Sequence, residues 1–384
     1  MQISVEKYLK GDKVIWAIII ILSLFSVVMA YSASSNMAYR LSDGDATPYL
    51  FKHTFIMVLG IVCIIYFQHF KFKYLSRLSQ MGIWVAAVLL LVTLLFGRSV
   101  NSANRWIMGF QPSDLAKIVL VIYVARMLTV KAGQITNFKE GVLPILIPIG
   151  AICFLILPAD FSTAALLLVV CFVLMYVGGV LLKHLGAILL GMIVLFMMLI
   201  MVNKATGIFP RAATWEKRMV SFFGGSPREE TANDKVDNYQ AHMSELMLVE
   251  GGLFPQGPGK GTIKNEQYSS QSDFVYSSVI EDFGSILGGL GLLLLYVIFL
   301  YRSIKIMNKT DSKFGGYLSF GLSFMLVFQA LINMGVGVGL LPVTGQALPL
   351  ISMGGTSILF TCISIGIILN ISRTVYQDEE FANE

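Results

Sequence analysis

The sequence predicts an all-α, polytopic integral membrane protein, because of its composition, its long apolar segments and the placement of its basic residues. Of its 384 residues, 56% are hydrophobic and only 13% are charged. About 25% of the residues in soluble domains are charged, so this chain has too few charges to cover a soluble globule. The mean hydropathy of +0.74 likewise predicts a surface that faces lipid. The modest net charge of +5 fits a membrane topology better than nucleic-acid binding.

Ten apolar segments predict ten transmembrane helices. A helix needs roughly 20 apolar residues to cross a bilayer. Because backbone groups in lipid must be satisfied within the segment, apolar segments of this length are expected to be helical. We interpret residues 1–384 as a single membrane domain. The segments lie at 14–31, 50–68, 82–97, 112–130, 142–157, 163–181, 186–203, 283–301, 316–340 and 356–372.

The lysines and arginines predict the orientation of these helices, since they concentrate in cytoplasmic loops. With the N-terminus in the cytoplasm, the short outside loops carry only Arg40, Lys52, Arg98 and Arg105. Ten spans then return the C-terminus to the cytoplasm. We expect a very tight outside turn between the fifth and sixth segments.

Residues 204–282 are expected to form one large extracytoplasmic loop between helices 7 and 8. This loop holds eleven of the 23 acidic residues, together with basic residues that include Arg211 and Arg218. Long loops do not follow the positive-inside rule, so these cations do not contradict the topology. Because long connections usually carry function, we expect the active face to be extracytoplasmic.

Residue spacing disfavours a metal site and a nucleotide site. The four cysteines lie inside apolar runs and the four histidines are scattered, so no metal ligand set is visible. The glycine-rich sequence at 257–262 lacks the adjacent Lys-Ser/Thr of a P-loop. A backbone bend near an anionic group is the remaining interpretation of those glycines.

The start of the fourth helix combines two opposite charges. Pro112 suits the first helical position, and Asp114 in the first turn would be stabilised by the helix dipole. Lys117 follows on the same face, so the two could simply form a local ion pair. A lysine at membrane depth is costly, however, and is usually functional. Both interpretations stand from the residues alone.

Further carboxylates border the apolar segments. Asp160 is either the N-cap of helix six or a polar group held in a central cavity. Asp273 precedes the eighth apolar segment, but the pattern alone does not separate it from Glu266, Glu281 or Asp282 as a catalytic carboxylate. The 344–356 stretch is expected to be a re-entrant polar loop that lines a cavity.

Three motifs together resemble the SEDS family (shape, elongation, division and sporulation). They are the Asn-Arg-Trp-Ile-Met-Gly-Phe-Gln-Pro-Ser-Asp-Leu-Ala-Lys sequence at 104–117, the order Gly-Leu-Phe…Ser-Asp-Phe…Glu-Asp-Phe-Gly within 252–284, and Leu-Pro-Leu-Ile-Ser-Met-Gly-Gly-Thr-Ser at 348–357. Asp114 stands where the family has Glu, and Met353 stands where it has Tyr. The N-terminal sequences at 10–16 and 31–35 are most similar to the division branch, FtsW, with the elongation branch, RodA, as the alternative.

The resemblance implies a peptidoglycan glycosyltransferase that polymerises lipid II during cell division, outside the bacterial cytoplasmic membrane. It makes Asp273 the catalytic base and places Asp114, Lys117 and Asp160 in the substrate site. Arg105, with Arg211 and Arg218 as weaker candidates, would neutralise the diphosphate leaving group. A divalent cation, Mg²⁺ or Mn²⁺, could share that role.

The resemblance also implies partners and leaves rival functions open. The expected partners are lipid II, membrane lipid, a class B penicillin-binding protein (a transpeptidase) and other division proteins, with no nucleic acid. A transporter that flips lipid II would also need charges at membrane depth. A scaffold that only recruits division proteins is the third hypothesis, and it would not need Asp273.

Overall fold

The computed structural model describes residues 10–33, 47–100, 103–107, 109–206, 232–267 and 270–383, and these residues form twelve α-helices. Their bounds are α1 Lys13–Ala33, α2 Thr47–His69, α3 Lys73–Phe96, α4 Pro112–Val130, α5 Leu143–Ile156, α6 Phe161–Val177, α7 Leu182–Thr206, α8 Ala232–Gly251, α9 Val275–Phe283, α10 Gly291–Lys309, α11 Lys313–Gly337 and α12 Gly355–Asn383. Two π-helical segments, Phe138–Val142 and Gly284–Leu290, lead into α5 and α10. Short 3₁₀ turns lie at Ala132–Gln134 and Ile263–Asn265.

The helices confirm the multi-pass membrane class. Each of the ten predicted apolar segments falls on a helix. Within the described residues, seven helical segments are long and apolar enough to cross a membrane, and α6 and Leu182–Leu195 of α7 are shorter apolar helices. Helix α4 is apolar apart from Asp114, Lys117 and Arg126. The total of ten spans stays a prediction, as does the single domain.

The large loop and the eighth helix differ from the sequence prediction. Residues 232–251 of the predicted loop form helix α8, because Ser244 and Met247 pack into the protein. The eighth helical segment begins at Val275 rather than near residue 283, since α9 is buried against α8 and α11. A third difference is a small hairpin before α4, formed by strands β1 (Arg98–Val100) and β2 (Ala103–Trp106).

Helices α4, α11 and α12 form the centre of the molecule, and small residues allow them to approach their neighbours closely. A Cβ at Gly321 of α11 would lie 2.8 Å from Val121 Cγ1 of α4. A Cβ at Gly366 of α12 would lie 2.9 Å from the carbonyl oxygen of Ile64 in α2. Such contacts are typical of membrane helices, whose association depends on close packing.

The start of α1 meets the ends of α10 and α12, and we call this region the Asp12 end. Asp12 caps α1 by accepting hydrogen bonds from the backbone N–H groups of Val14 and Ile15. Its other carboxylate oxygen accepts from Arg302 Nε at 2.7 Å and from the Tyr376 hydroxyl at 3.0 Å. Since α9 and α10 run as one span and α12 starts at the far side, Asp273 lies at the opposite end, the Asp273 end.

Candidate active site

An irregular segment at 338–354 connects α11 to α12 and is the centre of the candidate site. Gln346, Leu348, Leu350 and Ser352 are buried in it. Non-helical backbone at membrane depth is tolerated only where protein or a cavity surrounds it and supplies hydrogen bonds. One such bond is donated by the Leu348 N–H to Ser352 Oγ at 2.7 Å. The predicted re-entrant loop is therefore irregular and buried in the protein.

Two amides of α11 hold this segment in place. Gln329 Nε2 donates to the carbonyl oxygen of Ala347 at 2.7 Å, and Asn333 Nδ2 donates to that of Gln346 at 2.7 Å. The two amides are four residues apart and therefore project from one face of the helix. Leu350 adopts a left-handed φ of 67°, which is strained for a branched side chain and persists because its surroundings fix it.

Asp114 and Lys117 form a buried ion pair beside this segment. Lys117 Nζ lies 2.8 Å from Asp114 Oδ1, and the two side chains are 9% and 5% exposed. Lys117 also donates to Gln329 Oε1 at 3.3 Å, so it reaches the amide that holds Ala347. Asp114 Oδ2 is buried and has no hydrogen-bond partner among the described residues. The structure therefore contains both features that the sequence suggested: Lys117 forms a local ion pair with Asp114, and it is also a buried cation.

Asp160 combines the two roles that the sequence left open. As the N-cap of α6, its Oδ1 accepts from the Thr163 N–H at 3.0 Å. Its Oδ2 lies 3.4 Å from Arg105 Nη1, and Arg105 Nε donates to the Ala159 carbonyl oxygen at 2.8 Å. The Thr163 hydroxyl in turn accepts from Gln346 Nε2 at 3.0 Å. The tight turn between α5 and α6 is therefore bonded to the 338–354 segment.

Asp273 lies just before α9, beside the 338–354 segment. Its carbonyl oxygen accepts from Asn333 Nδ2 at 2.9 Å, the amide that also bonds Gln346. The neighbouring carbonyl of Ser272 accepts from Ser352 Oγ at 2.7 Å. Asp273 itself is partly exposed. A Cβ placed on Gly345 would be only 3.7 Å from Asp273 Oδ2.

These bonds bring four of the predicted site residues to one segment. We call the group the polar network; it consists of Asp114, Lys117, Asp160, Asp273, Gln329, Asn333 and Gln346. Arg105 joins it through Asp160. Of the rival carboxylates, Glu266 is exposed, whereas Glu281 and Asp282 are fully buried away from this segment. Arg211 and Arg218 lie outside the described residues.

The sequence interpretation missed the residues that connect the network. Gln329, Asn333 and Gln346 are all at most 5% exposed and carry no charge. Polar amides spaced four apart in an otherwise apolar span were an available signal, since such groups need buried partners. Their partners lie far away in sequence, so spacing alone could not identify them.

An apolar pocket opens beside the network. Arg105 and Asp160 lie at its edge, and Pro112 and Ser113 at the start of α4 form part of its wall. The remaining lining residues come from α3 and from the end of α5 with the turn after it: Leu90, Thr93, Leu94, Leu155, Ile156 and Ala159. Apolar walls next to a guanidinium suit an anionic group that is linked to a hydrocarbon chain. The 338–354 segment, which was predicted to line a cavity, does not contribute to this pocket.

A divalent cation stays a prediction. Among the residues that the structure describes, no group of three or more His, Cys, Asp or Glu side chains is positioned to hold a metal ion. Asp114 Oδ2 is the unoccupied carboxylate oxygen in the network, and a second carboxylate would be needed to complete a hard-cation site.

The family assignment follows from a match over nearly the whole chain. Residues 12–377 match the family model FTSW_RODA_SPOVE, which is described as "Cell cycle protein". The chain belongs to this family. The match includes every member of the polar network, from Asp114 to Gln346.

Relatives and solved structures agree with the family. The chain is 29% identical over 370 residues to "Probable peptidoglycan glycosyltransferase FtsW" of Geobacter sp. (strain M18), covering 94% of this chain and 96% of the relative. It is 27% identical to "Stage V sporulation protein E" of Bacillus subtilis, with 94% and 97% coverage.

Two solved structures share the fold. The first, from work described as "Structural coordination of polymerization and crosslinking by a peptidoglycan synthase complex", has a TM-score of 0.73 and 23% identity, covering 96% of this chain and 99% of the other. The second is RodA of Thermus thermophilus, with a TM-score of 0.67, 23% identity and coverage of 97% and 100%. At these identities the likeness shows the fold alone.

Proposed function

We propose that this protein is an inverting peptidoglycan glycosyltransferase that polymerises lipid II on the outer face of the bacterial cytoplasmic membrane. The family match and the relatives named as peptidoglycan glycosyltransferases support the reaction class. The single observation that carries the proposal is the polar network around the 338–354 segment. Asn333 bonds both the Asp273 carbonyl oxygen and this segment, and Gln329 bonds both Lys117 and this segment.

Asp273 is the proposed general base. Its carboxylate takes the proton of the acceptor sugar 4-hydroxyl as that oxygen bonds to the anomeric carbon of the donor. The bond between the anomeric carbon and the diphosphate oxygen breaks at the same time, and the diphosphate leaves with the electron pair. One displacement inverts the anomeric centre, so the reaction needs no covalent enzyme intermediate.

Arg105 and Lys117 are the proposed partners of the polyprenyl diphosphate. Positioned cations stabilise negative charge that develops on a leaving group, and they do so more strongly where water is excluded. Arg105 lies at the edge of the small apolar pocket. Lys117 is buried within the network and is held by Asp114 and Gln329. A bound Mg²⁺ or Mn²⁺ would supply further charge neutralisation.

The proposed orientation has both termini in the cytoplasm and the Asp273 end outside. The Asp12 end joins the chain's beginning to its last helix: Asp12 N–H donates to Ser372 Oγ at 2.8 Å. Both ends of the chain therefore share one face, in agreement with an even number of spans. The basic residues of α10 and α11 at Lys309 and Lys313 lie on that same side, which supports its assignment as the cytoplasmic face.

The reaction is tested by assaying lipid II polymerisation with the purified protein and its Asp273→Asn variant. We expect Asp273→Asn, which keeps the shape of the side chain but removes the base, to lower kcat by at least about 100-fold. Glu266→Gln is the matched control, because Glu266 is an exposed carboxylate of the same loop. Wild-type rates for Asp273→Asn, or an equal loss in Glu266→Gln, would contradict the assignment of the base.

A lipid II transporter is the second candidate, because Asp114 and Lys117 are charges buried in a membrane helix. Liposomes that contain this protein and no other polymerase separate the two functions. Glycan product supports the enzyme. Translocation of lipid II without product, unaffected by Asp273→Asn, supports the transporter.

We further propose a class B penicillin-binding protein as partner and a role in division rather than elongation. The partner is suggested by the structural neighbour from a peptidoglycan synthase complex, and the branch by the relatives named FtsW. Depletion in the native bacterium tests the branch: filaments with unfinished septa are expected, whereas rounded cells would indicate the elongation role. Co-purification with the tagged protein tests the partner.

A further inference from the structure

The glycine-rich stretch at 257–261 is hydrogen-bonded to Asp282 and Ser32 of its own chain. The Gly261 N–H donates to Asp282 Oδ1 at 3.4 Å, and the Gly257 N–H donates to the Asp282 carbonyl oxygen at 2.9 Å. Gly259 N–H instead donates to Ser32 Oγ at 3.0 Å. These three N–H groups are therefore engaged within the chain, by a carboxylate, a backbone carbonyl and a hydroxyl respectively.

A buried lysine completes this arrangement. Lys264 is 1% exposed, and its Nζ forms an ion pair with Asp282 and donates to Ser32 Oγ at 2.6 Å. The neighbouring carboxylate of Glu281 accepts from the N–H groups of Ile263 at 2.8 Å and Lys264 at 3.1 Å. Asp282 therefore pairs with the buried cation, whereas the buried Glu281 carboxylate is held by backbone N–H groups. Such a group is stable only when every member is paired.

Ser32 ties the arrangement to the first helix. It lies in the last turn of α1 and donates to Asp282 Oδ2 at 2.5 Å. The outer end of α1, the 256–265 stretch and the end of α9 thus meet at one point. We call Ser32, Lys264, Glu281 and Asp282 the carboxylate latch.

Helix α9 connects the latch to the candidate base. Asp273 lies two residues before Val275, the first residue of α9, and Asp282 lies one residue before the helix ends. A nine-residue helix is about 13 Å long, so the latch and Asp273 lie near the two ends of one short helix. Ser277 fixes its middle by donating to the Gly337 carbonyl oxygen at 3.0 Å. A displacement at the latch would therefore tilt α9 and move Asp273 relative to the 338–354 segment.

We propose that the carboxylate latch positions Asp273 for proton transfer, so that its four residues are positioning residues of the reaction. This inference rests on the proposed function, because it assigns Asp273 the role of the base. It concerns groups that touch neither the polar network nor the apolar pocket. Since small misplacements of a reacting group lower rates strongly, a loosened latch should reduce kcat by roughly 10- to 100-fold and leave KM for lipid II unchanged.

The test compares purified Asp282→Asn with Asp12→Asn. Asp282→Asn keeps the shape of the side chain and removes the carboxylate that pairs with Lys264, while Glu281 and its two backbone hydrogen bonds are retained. Asp12→Asn removes an equally buried, ion-paired carboxylate about 30 Å away, at the other end of α1. Ser32→Ala and Ser32→Thr form a second pair that differs in the hydroxyl, and this pair decides the question if Asp282→Asn does not fold.

Two readouts are combined: steady-state lipid II polymerisation, and amide hydrogen exchange of residues 270–283. The latch is supported if Asp282→Asn and Ser32→Ala lose kcat and exchange faster in 270–283, while Asp12→Asn and Ser32→Thr do neither. It is overturned if folded Asp282→Asn keeps wild-type kcat and exchange, or if Asp12→Asn loses as much kcat. Absence of polymerisation by the wild-type protein would instead refute the proposed function, and the exchange data would still report on the latch.

Discussion

The Asp12 end buries Asp12 beside Arg302, and the Asp273 end buries Asp114 beside Lys117. The two carboxylates differ in how they are hydrogen-bonded. Every oxygen of the Asp12 carboxylate is used: Oδ1 accepts from two backbone N–H groups, and Oδ2 accepts from Arg302 and Tyr376. Asp114 bonds Lys117 through Oδ1, whereas its Oδ2 has no partner in the described part of the chain. The difference therefore concerns hydrogen bonding, since both aspartates are buried.

This difference separates a structural ion pair from a functional one. Buried polar atoms are nearly always hydrogen-bonded, so an unpaired one in a native site calls for an explanation such as an absent ligand. Other unpaired buried atoms occur at both ends: Asn333 Oδ1 and Thr344 Oγ1 lie close to the proposed base, and Gln68 Oε1 and Arg373 Nε lie at the Asp12 end. From the two carboxylates we infer that Asp12 stabilises the helix bundle and that Asp114 keeps hydrogen-bonding capacity for substrate.

The largest expected effect is at Lys117. Lys117→Met keeps the length of the side chain and removes its charge, so the diphosphate loses a cation and polymerisation should fall by roughly 100- to 1000-fold. The measurement is kcat with purified protein and lipid II. Arg302→Met is the matched control at the Asp12 end, where the folded fraction should keep wild-type kcat. Equal losses of kcat in both variants would remove the distinction between the two ends.

Arg302→Met should instead lower stability, by about 2 kcal/mol. Removing one partner of a buried ion pair leaves the other charge uncompensated, and here the guanidinium is 19% exposed, which moderates the effect. The melting temperature in detergent measures this loss. Arg302→Lys retains the charge but not both bonds to Asp12. Its melting temperature should therefore lie between those of the wild type and Arg302→Met. A melting temperature equal to wild type would show that the Asp12 end is not needed for stability.

The sequence predicted the helices well because long apolar segments have few alternatives in lipid. It did not predict α8, whose residues 232–251 are largely polar and become helical through contacts with α9 and α11. The π-helical segment Gly284–Leu290 was also missed, because an apolar pattern does not register one extra residue per turn. It starts at Gly284, where φ is 73° and a Cβ would lie 2.7 Å from the Leu253 carbonyl oxygen.

Within the candidate site, the sequence predicted charged residues better than connections. Asp114 and Lys117 were paired by helical spacing, and the structure places them 2.8 Å apart. The bond from Lys117 to Gln329 joins residues 212 positions apart, which no local pattern can reveal. Asp282 was considered only as a rival catalytic carboxylate and Lys264 was not singled out, because burial depends on how the glycine-rich stretch folds over α9. The roles of all these residues stay predictions until the variants are assayed.

The smallest expected effect is at Thr344, and it tests whether a single unpaired hydroxyl at the Asp273 end binds substrate. Its hydroxyl is buried and unpaired in the described structure, next to Gly345, which faces Asp273. Thr344→Val replaces the hydroxyl by a methyl group, so it should leave the melting temperature unchanged or raise it. If the hydroxyl bonds substrate, KM should rise about threefold, which corresponds to one modest hydrogen bond.

The control for Thr344→Val is Ser319→Ala. Ser319 Oγ is also buried and unpaired among the described residues, but it lies ten residues before Gln329 on α11, about 15 Å from the network. Ser319→Ala should change neither KM nor kcat. A rise in KM confined to Thr344→Val would assign the unpaired atoms of the Asp273 end to substrate binding. Identical kinetics in both variants would mean that the unpaired atoms of the Asp273 end do not bind substrate. The functional difference between the Asp273 end and the Asp12 end would then depend on Lys117 alone.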